Sequence, residues 1–144
     1  MLASELMSSS VQCCTPTTSV KDVARLMKEH DVGSIPVVES DARRKLIGVI
    51  TDRDIVVRLV AEAMNPLECD AEDAMTGTTF SVQTSASEEE VCRVMEEHQV
   101  RRVPVVDAED NCVGIISQAD IARRASEHET AELLKDVSRP NQAA

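Results

Sequence analysis

Aromatic side chains are nearly missing from this chain: it has one phenylalanine, Phe80, and neither tryptophan nor tyrosine. Without rings to stack on bases, a single-strand nucleic-acid platform is excluded. Positive charge is also scarce. Fifteen Lys and Arg face twenty-six Asp and Glu, a formal net charge of −11, so phosphodiester polymers and anionic membranes are repelled. No apolar run approaches the length of a bilayer span, and the first ten residues, MLASELMSSS, lack the cationic start and apolar block of a secretory signal. A cytoplasmic protein is the expectation. The five cysteines (Cys13, Cys14, Cys69, Cys92, Cys112) are odd in number and form no C-x-x-C, which points to reduced thiols. Adjacent Cys13 and Cys14 are the one pair that invites redox chemistry. The histidines and cysteines show no metal-ligand spacing, and no nucleophile is paired with a base, so the reading is of a non-enzyme with no metal.

What the chain does have is aliphatic periodicity. Apolar residues Val20, Val23, Ala24, Leu26 and Met27 predict a helix from Ser19 to about His30, with Ser19 and Asp22 placed as a capping pair. Strands are predicted at Val11–Cys14, Ile35–Val38 and Leu46–Ile50, with Pro36 marking an edge or a strand start. A second helix is predicted from Asp52 to about Met64, with Ile55, Val56, Leu59, Val60 and Ala63 on one side, stopped by Asn65-Pro66. Residues 3–7 read as a short helical turn.

The same order then recurs. Glu72 to Met75 is a helical turn, Thr79 to Val82 a strand, and Ser87 to His98 a helix capped with Glu90. Val103–Val106 and Val113–Ile116 are strands, and Gln118 to about Glu127 is a helix. Between residues 23–38 and 91–106, offset by 68, nine of sixteen positions are identical, which marks a true internal repeat. The offset falls to 66 after the first polar turn. Each unit is strand–helix–strand–strand–helix, too small to bury much alone, so an α/β fold is expected in which two copies pack sheet-to-sheet about a pseudo-twofold. The repeats are bounded at 1–68 and 69–127. The remaining residues, 128–144, carry an extra helix over Glu127–Val137, with Ala131, Leu133, Leu134 and Val137 as its apolar side, and a frayed tail from Arg139.

Two of the chain's four glycines stand at one place in the repeat. Gly48-Val-Ile-Thr-Asp-Arg-Asp54 and Gly114-Ile-Ile-Ser-Gln-Ala-Asp120 are both strand-to-helix turns. With the Pro-Val-Val strands at 35–38 and 103–106, they resemble the CBS domain pair, or Bateman module, over residues 1 to about 125. The stretches MEEHQVRRVPVV and ADIARRASEH are similar to small stand-alone bacterial members, several of them linked to hypoxia, dormancy or general stress.

The resemblance implies an adenosyl ligand (AMP, ADP, ATP or S-adenosylmethionine) in the cleft between the repeats and no obligatory cofactor. It implies two pseudo-equivalent sites. In one, Thr51 and Asp54 contact ribose with Arg53 near phosphate, and the backbone around Gln83-Thr84 and Val100 frames adenine. In the other, Ser117 and Asp120 take the ribose, Arg101 and Arg102 reach phosphate, and the backbone around Thr15 and Val32 frames adenine. It further implies a regulatory homodimer that signals to a protein partner, with the helix faces Val56, Leu59, Val60, Ala63 and Ile121, Ala122, Ala125 as candidate interfaces.

The chemistry suits those residue types. An ionised aspartate accepts both hydroxyls of a ribose diol. A helix start offers unpaired N–H groups to an anion, and arginine offers forked donors to phosphate. The bland reading also fits, because Ser or Thr followed three residues later by Asp is a capping box, as Ser19/Asp22 is. Arg101 and Arg102 are equally open to acidic partners in so acidic a chain. His30 and His98 read as helix C-terminal cations, and His128 as surface. Two alternatives stay open: an interaction protein whose cleft holds no ligand, and a cysteine-based redox or metal sensor.

Overall fold

The computed structural model describes residues 1–77, 80–124 and 133–137. The chain divides into two compact units that are interleaved along the sequence. One comprises Gln12–Thr79 with Asp110–Cys112; the other comprises Met1–Val11, Phe80–Glu109 and Val113–Ala144.

In the first unit, α2 (Val20–His30) starts at Ser19, whose side chain accepts from the Asp22 N–H at 3.1 Å. It ends at Asp31 in a left-handed conformation, φ 51°. Strand β1 (Ser34–Val38) pairs antiparallel with β2 (Leu46–Thr51), and β3 (Thr76–Gly77) lies antiparallel on the far side of β2. The other edge of β1 receives one parallel bridge, Cys14 to Val37, anchored by the Cys14 N–H on the Pro36 carbonyl at 3.0 Å. Pro36 therefore sits on the end strand of its sheet, where a missing N–H costs least. The expected strand over Val11–Cys14 shrinks to that single bridge. Buried Val23, Met27, Ile35, Val37, Ile50 and Leu59 form this unit's core.

The helix after β2 departs from expectation. α3 (Asp52–Ile55) continues as a π-helical stretch, Val56–Val60, and stops in a turn with Ala63 at φ 60°. The Ala61 N–H bonds to the Val56 carbonyl at 2.8 Å and the Met64 N–H to Leu59 at 2.9 Å, the wide i→i+5 spacing. A wider turn rotates each residue by less, so the four-residue stripe no longer coincides with the core direction. Leu59 is fully buried, but Val56 and Val60 are 57% and 53% exposed. The side predicted as Ile55, Val56, Leu59, Val60 and Ala63 is thus split between core and surface. Asn65 does act as a stop: it caps the next short helix (Pro66–Glu68), accepting from the Leu67 N–H.

The second unit repeats the plan. β4 (Val82–Gln83) runs parallel to β5 (Arg102–Val106), which neighbours β6 (Cys112–Ser117) in the sheet. α4 (Glu88–His98) is capped by Ser87 through the Glu90 N–H at 3.2 Å and ends at left-handed Gln99. α5 (Gln118–Arg124) follows β6. The N-terminal turn α1 (Ala3–Leu6) belongs to this unit: the Ala3 N–H bonds to the Ala86 carbonyl at 2.7 Å, and Leu6 is buried with Val91, Met95 and Val103. Residues 133–137 are helical and give Leu133 and Val137 to the same core, while Leu134 is exposed, which corrects its expected place on the apolar side. Ile121 is fully buried here and, like Leu59, is not available as an interface. The proposed strand residue Thr79, the helix beyond Arg124 including Ala125 and Ala131, and the tail from Arg139 lie outside the described residues.

Each motif glycine makes room for backbone. A Cβ on Gly48 would stand 2.5 Å from Met75 Cε and 2.6 Å from the Thr76 carbonyl oxygen. One on Gly114 would meet Met7 Sδ and, at 2.9 Å, the Ser8 carbonyl oxygen. In both units the close approach at the glycine is to protein: β3 on β2, and Ser8 on Ile115 of β6. Gly48→Val should lower unfolding free energy by about 1–3 kcal/mol, as overpacked cores do. Gly77→Ala, with nothing within 4 Å of its Cβ, should leave the urea midpoint unchanged. Equal midpoints for the two variants would remove this role from Gly48.

Candidate functional site

Both Gly-to-Asp turns put a hydroxyl and a carboxylate at the start of a helix. In the first, the Thr51 N–H donates to Asp54 Oδ2 at 3.0 Å and the Asp54 N–H donates to Thr51 Oγ1 at 3.0 Å, a complete capping box. The other Asp54 oxygen lies 4.0 Å from Arg58, whose Nη1 also donates to the carbonyls of Ala74 and Met75 at 2.9 and 2.8 Å. Arg58 therefore ties the helix to the segment that leads into β3. It is a structural residue that sequence spacing shows only as an i,i+4 partner of Asp54.

In the second turn, the Ser117 N–H donates to Asp120 Oδ2 at 2.8 Å, and the Asp120 N–H donates to Ser117 Oγ at 3.2 Å. Ser117 Oγ and Asp120 Oδ2 are also 3.0 Å apart, and Arg123 pairs with Asp120 Oδ1 at 2.5 Å. Asp120 is thus more fully engaged than Asp54. Its remaining oxygen is held by a side chain that is 65% exposed, an ion pair worth at most about 1 kcal/mol and easily exchanged.

The surroundings differ in charge. At the first turn, the Asp52 N–H bonds to the Gly33 carbonyl at 3.0 Å, and its carboxylate packs over Gly33. Arg53 is exposed, its N–H bonded to Asp52 Oδ1. At the second, the Gln118 N–H bonds to the Arg101 carbonyl at 2.8 Å, so an arginine takes the place of Gly33 and a neutral glutamine that of Asp52. Among the described residues, neither the Arg101 nor the Arg102 side chain enters an ion pair, although the chain carries eleven excess negative charges.

The predicted adenine-framing segments have committed N–H groups. The Thr15 N–H donates to Thr18 Oγ1 at 2.9 Å, and the Val32 N–H closes the end of α2 on Met27 at 3.0 Å. In the second unit, the Thr84 N–H donates to the Val106 carbonyl at 3.1 Å and the Val100 N–H to Met95 at 3.1 Å. Thr51, Arg53, Asp54, Thr15 and Val32 belong to one unit, and Ser117, Asp120, Arg101, Arg102, Thr84 and Val100 to the other. Of the histidines, His98 stacks on Phe80 with ring centroids 4.9 Å apart.

Two β-strands ending in capped Gly-to-Asp turns, repeated once, define a tandem regulatory module. The chain belongs to the CBS domain family, whose pattern matches residues 3–61 and 71–127. CBS domains are non-catalytic regulatory modules, and this chain is one. It is 38% identical over 138 residues to hypoxic response protein 1 of Mycobacterium tuberculosis, spanning 96% of this chain and 94% of that protein. It is 34% identical to the CBS domain-containing protein YhcV of Bacillus subtilis over 95% of each. A crystal structure of hypoxic response protein I with two coordinated zinc ions has a TM-score of 0.79 at 38% identity, covering 88% of this chain and all of that one. CBSX2, a CBS-pair protein of Arabidopsis thaliana, solved in complex with AMP, has a TM-score of 0.74 at 25% identity, covering 86% of this chain and 95% of that one. Related structures thus hold an adenosyl nucleotide. Among the described residues, no three His, Cys, Asp or Glu side chains converge to hold a metal. Among those residues, no helix is long and apolar enough to cross a membrane.

Because the turns are caps whatever else they do, Thr51→Ala and Ser117→Ala should each cost about 0.5–2 kcal/mol in ligand-free protein. Adding Asp54→Ala or Asp120→Ala to the matching variant should cost less than the sum of the singles, as coupled partners do. Urea unfolding of the four singles and two doubles reads this out. Additive losses would mean that the boxes do not act as units.

Proposed function

We propose that this protein is a sensor that binds an adenosyl nucleotide (AMP, ADP, ATP or S-adenosylmethionine) at its Gly-to-Asp turns and passes its ligand state to a protein partner. The observation that carries this reading is the pair of arginines, Arg101 and Arg102, at the head of β5 and next to a helix start, which enter no ion pair among the described residues. Forked donors suit a phosphate. The AMP complex of a relative with this fold supports the choice of nucleotide. In this reading Ser117 and Asp120 take the ribose once Arg123 swings away, and phosphate favours the second turn. At the first turn Asp52 opposes an anion, and Thr51, Asp54 and Arg53 form the weaker site. A ligand that prefers one arrangement of the module shifts its population, and a partner reads that shift.

Calorimetry of the pure protein against the four compounds is the test. AMP, ADP or ATP should bind, and Arg101→Ala with Arg102→Ala should weaken that binding about 10–100-fold, the loss expected for charged hydrogen bonds. S-adenosylmethionine, which has no phosphate, should be affected little. Silence with all four compounds would leave an interaction protein that holds no ligand.

We further propose a homodimer in the stress-response style of its bacterial relatives. Val56, Val57, Val60, Met64 and Leu67 are exposed together after β2, an apolar surface that a second copy would cover. Light scattering should give twice the chain mass. Val56→Glu with Val60→Glu should give a folded monomer; a dimer that survives both charges would rule this surface out.

A further inference from the structure

Only one of the five cysteines has the setting of a reactive thiol. Arg44 Nη2 donates to the Cys13 sulfur at 3.1 Å, and the same arginine holds Cys112. The arginine fixes both partners, because its own carbonyl accepts the Cys112 N–H at 2.8 Å. The Asp110 carbonyl accepts the Leu46 N–H at 3.0 Å, and Lys45 bridges Asn111, so the backbone that presents Cys112 is tied to Arg44 on both sides. Cys13 is half-buried, within reach of a small solute, and Cys112 is buried.

The hydrogen bond from Cys112 lowers the Cys13 thiol below its ordinary range; burial opposes this, and the Arg44 charge and hydrogen bond assist it. Burial, with the neighbouring Cys13 charge, pushes adjacent Cys14 up to about 12, so it stays an inert thiol at neutral pH. Cys69 is raised by burial and by the acidic groups Asp73, Glu68 and Asp70. Cys92 lies in the core of the other unit.

We propose that Cys13 and Cys112 form a reversible thiol–disulfide pair, in which Cys13 is oxidised by hydroperoxides and Cys112 resolves it, with Arg44 holding the two sulfurs together. In the first step the Cys13 thiolate attacks the distal peroxide oxygen. The S–O bond forms, the O–O bond breaks and an alcohol or water leaves after protonation, so sulfur is oxidised by two electrons and the peroxide reduced. In the second, the Cys112 sulfur attacks the Cys13 sulfenic sulfur. The S–S bond forms, the S–O bond breaks, and the proton lost by Cys112 leaves with hydroxide as water. A disulfide sulfur carries no charge for the guanidinium, so Arg44 is released. The new bond closes a long loop from residue 13 to residue 112, which restricts the unfolded chain and stabilises the oxidised form. Cys112 is also the first residue of β6, whose last residue is Ser117, so the oxidisable thiol and a capping box sit at opposite ends of one strand.

The test treats the full chain with equimolar hydrogen peroxide, followed by non-reducing peptide mapping. The expected product has lost two hydrogens, joins Cys13 to Cys112 within one chain, reverts with dithiothreitol, and melts at a higher temperature than the reduced protein. Cys14→Ser should leave both rate and cross-link unchanged, which assigns the bond to Cys13. Cys112→Ala, or Cys112→Ser if the alanine variant does not fold, should leave a Cys13 sulfenic acid that dimedone traps. Arg44→Ala should slow the reaction about 10-fold, the effect of losing a thiolate-stabilising cation. A cross-link to Cys14, a disulfide between chains, or oxidation of Cys13 no faster than that of Cys69 and Cys92 would each overturn the proposal.

Discussion

The close approach of two backbones at Gly48 and Gly114 organises everything else in this molecule. At both places a strand that would otherwise be the edge of its sheet accepts a segment from a distant part of the chain, and only a residue without a Cβ leaves room for it. Thr76 and Gly77 lie on β2, and Ser8 lies on Ile115 of β6. These contacts recruit residues 71–77 into the unit of the first repeat and residues 1–11 into that of the second. Met75 and Met7, offset by 68 as the repeat requires, each lie against the glycine of the unit they join.

The two turns show how one arrangement of atoms serves structure and remains available to chemistry. A capping box uses one carboxylate oxygen and a hydroxyl, and leaves the second oxygen to an exposed arginine or to whatever displaces it. The duplicated units have kept this box and diverged around it. One keeps an acidic residue over a glycine, Asp52 over Gly33; the other has Gln118 beside Arg101. Duplication thus gives two equivalent frames, and the flanking charges make them unequal.

Much of this is readable in the sequence, and what is not has physical reasons. The helices at Val20–His30 and Glu88–His98 are plain because serine caps, regular apolar spacing and polar ends all agree. The strands around the two Pro-Val-Val runs are plain because aliphatic β-branched residues sit between turn formers. The π-helical stretch at Val56–Val60 is not, because an apolar spacing of three and four is also what an ordinary helix shows, and the wider turn appears only once Leu59 is anchored in the core. Membership of residues 1–11 in the second repeat's unit is equally hidden: a four-residue turn carries no local sign of the Ala86 carbonyl it bonds to, eighty-three positions away. The candidate site is legible as residue types and spacing, but its hydrogen bonds are not. The approach of Cys112 to Arg44, which holds Cys13, depends on the register of residues 44–46 against 110–112, which no motif records.

The exchange of segments between the two halves also bears on how the protein is made. A ribosome delivers residues 1–11 well before the groups they bond to, at Thr84, Ala86 and Ile115. The unit of the first repeat likewise waits for residues 110–112. The unit of the first repeat is complete only after much of the second repeat has been made, so it does not finish folding before the second begins to emerge. In the meantime Leu6 and Met7 lack the core they pack against. A duplicated protein that looks from its sequence like two domains in tandem is therefore, to the machinery that makes it, a chain in which neither repeat completes its unit by itself.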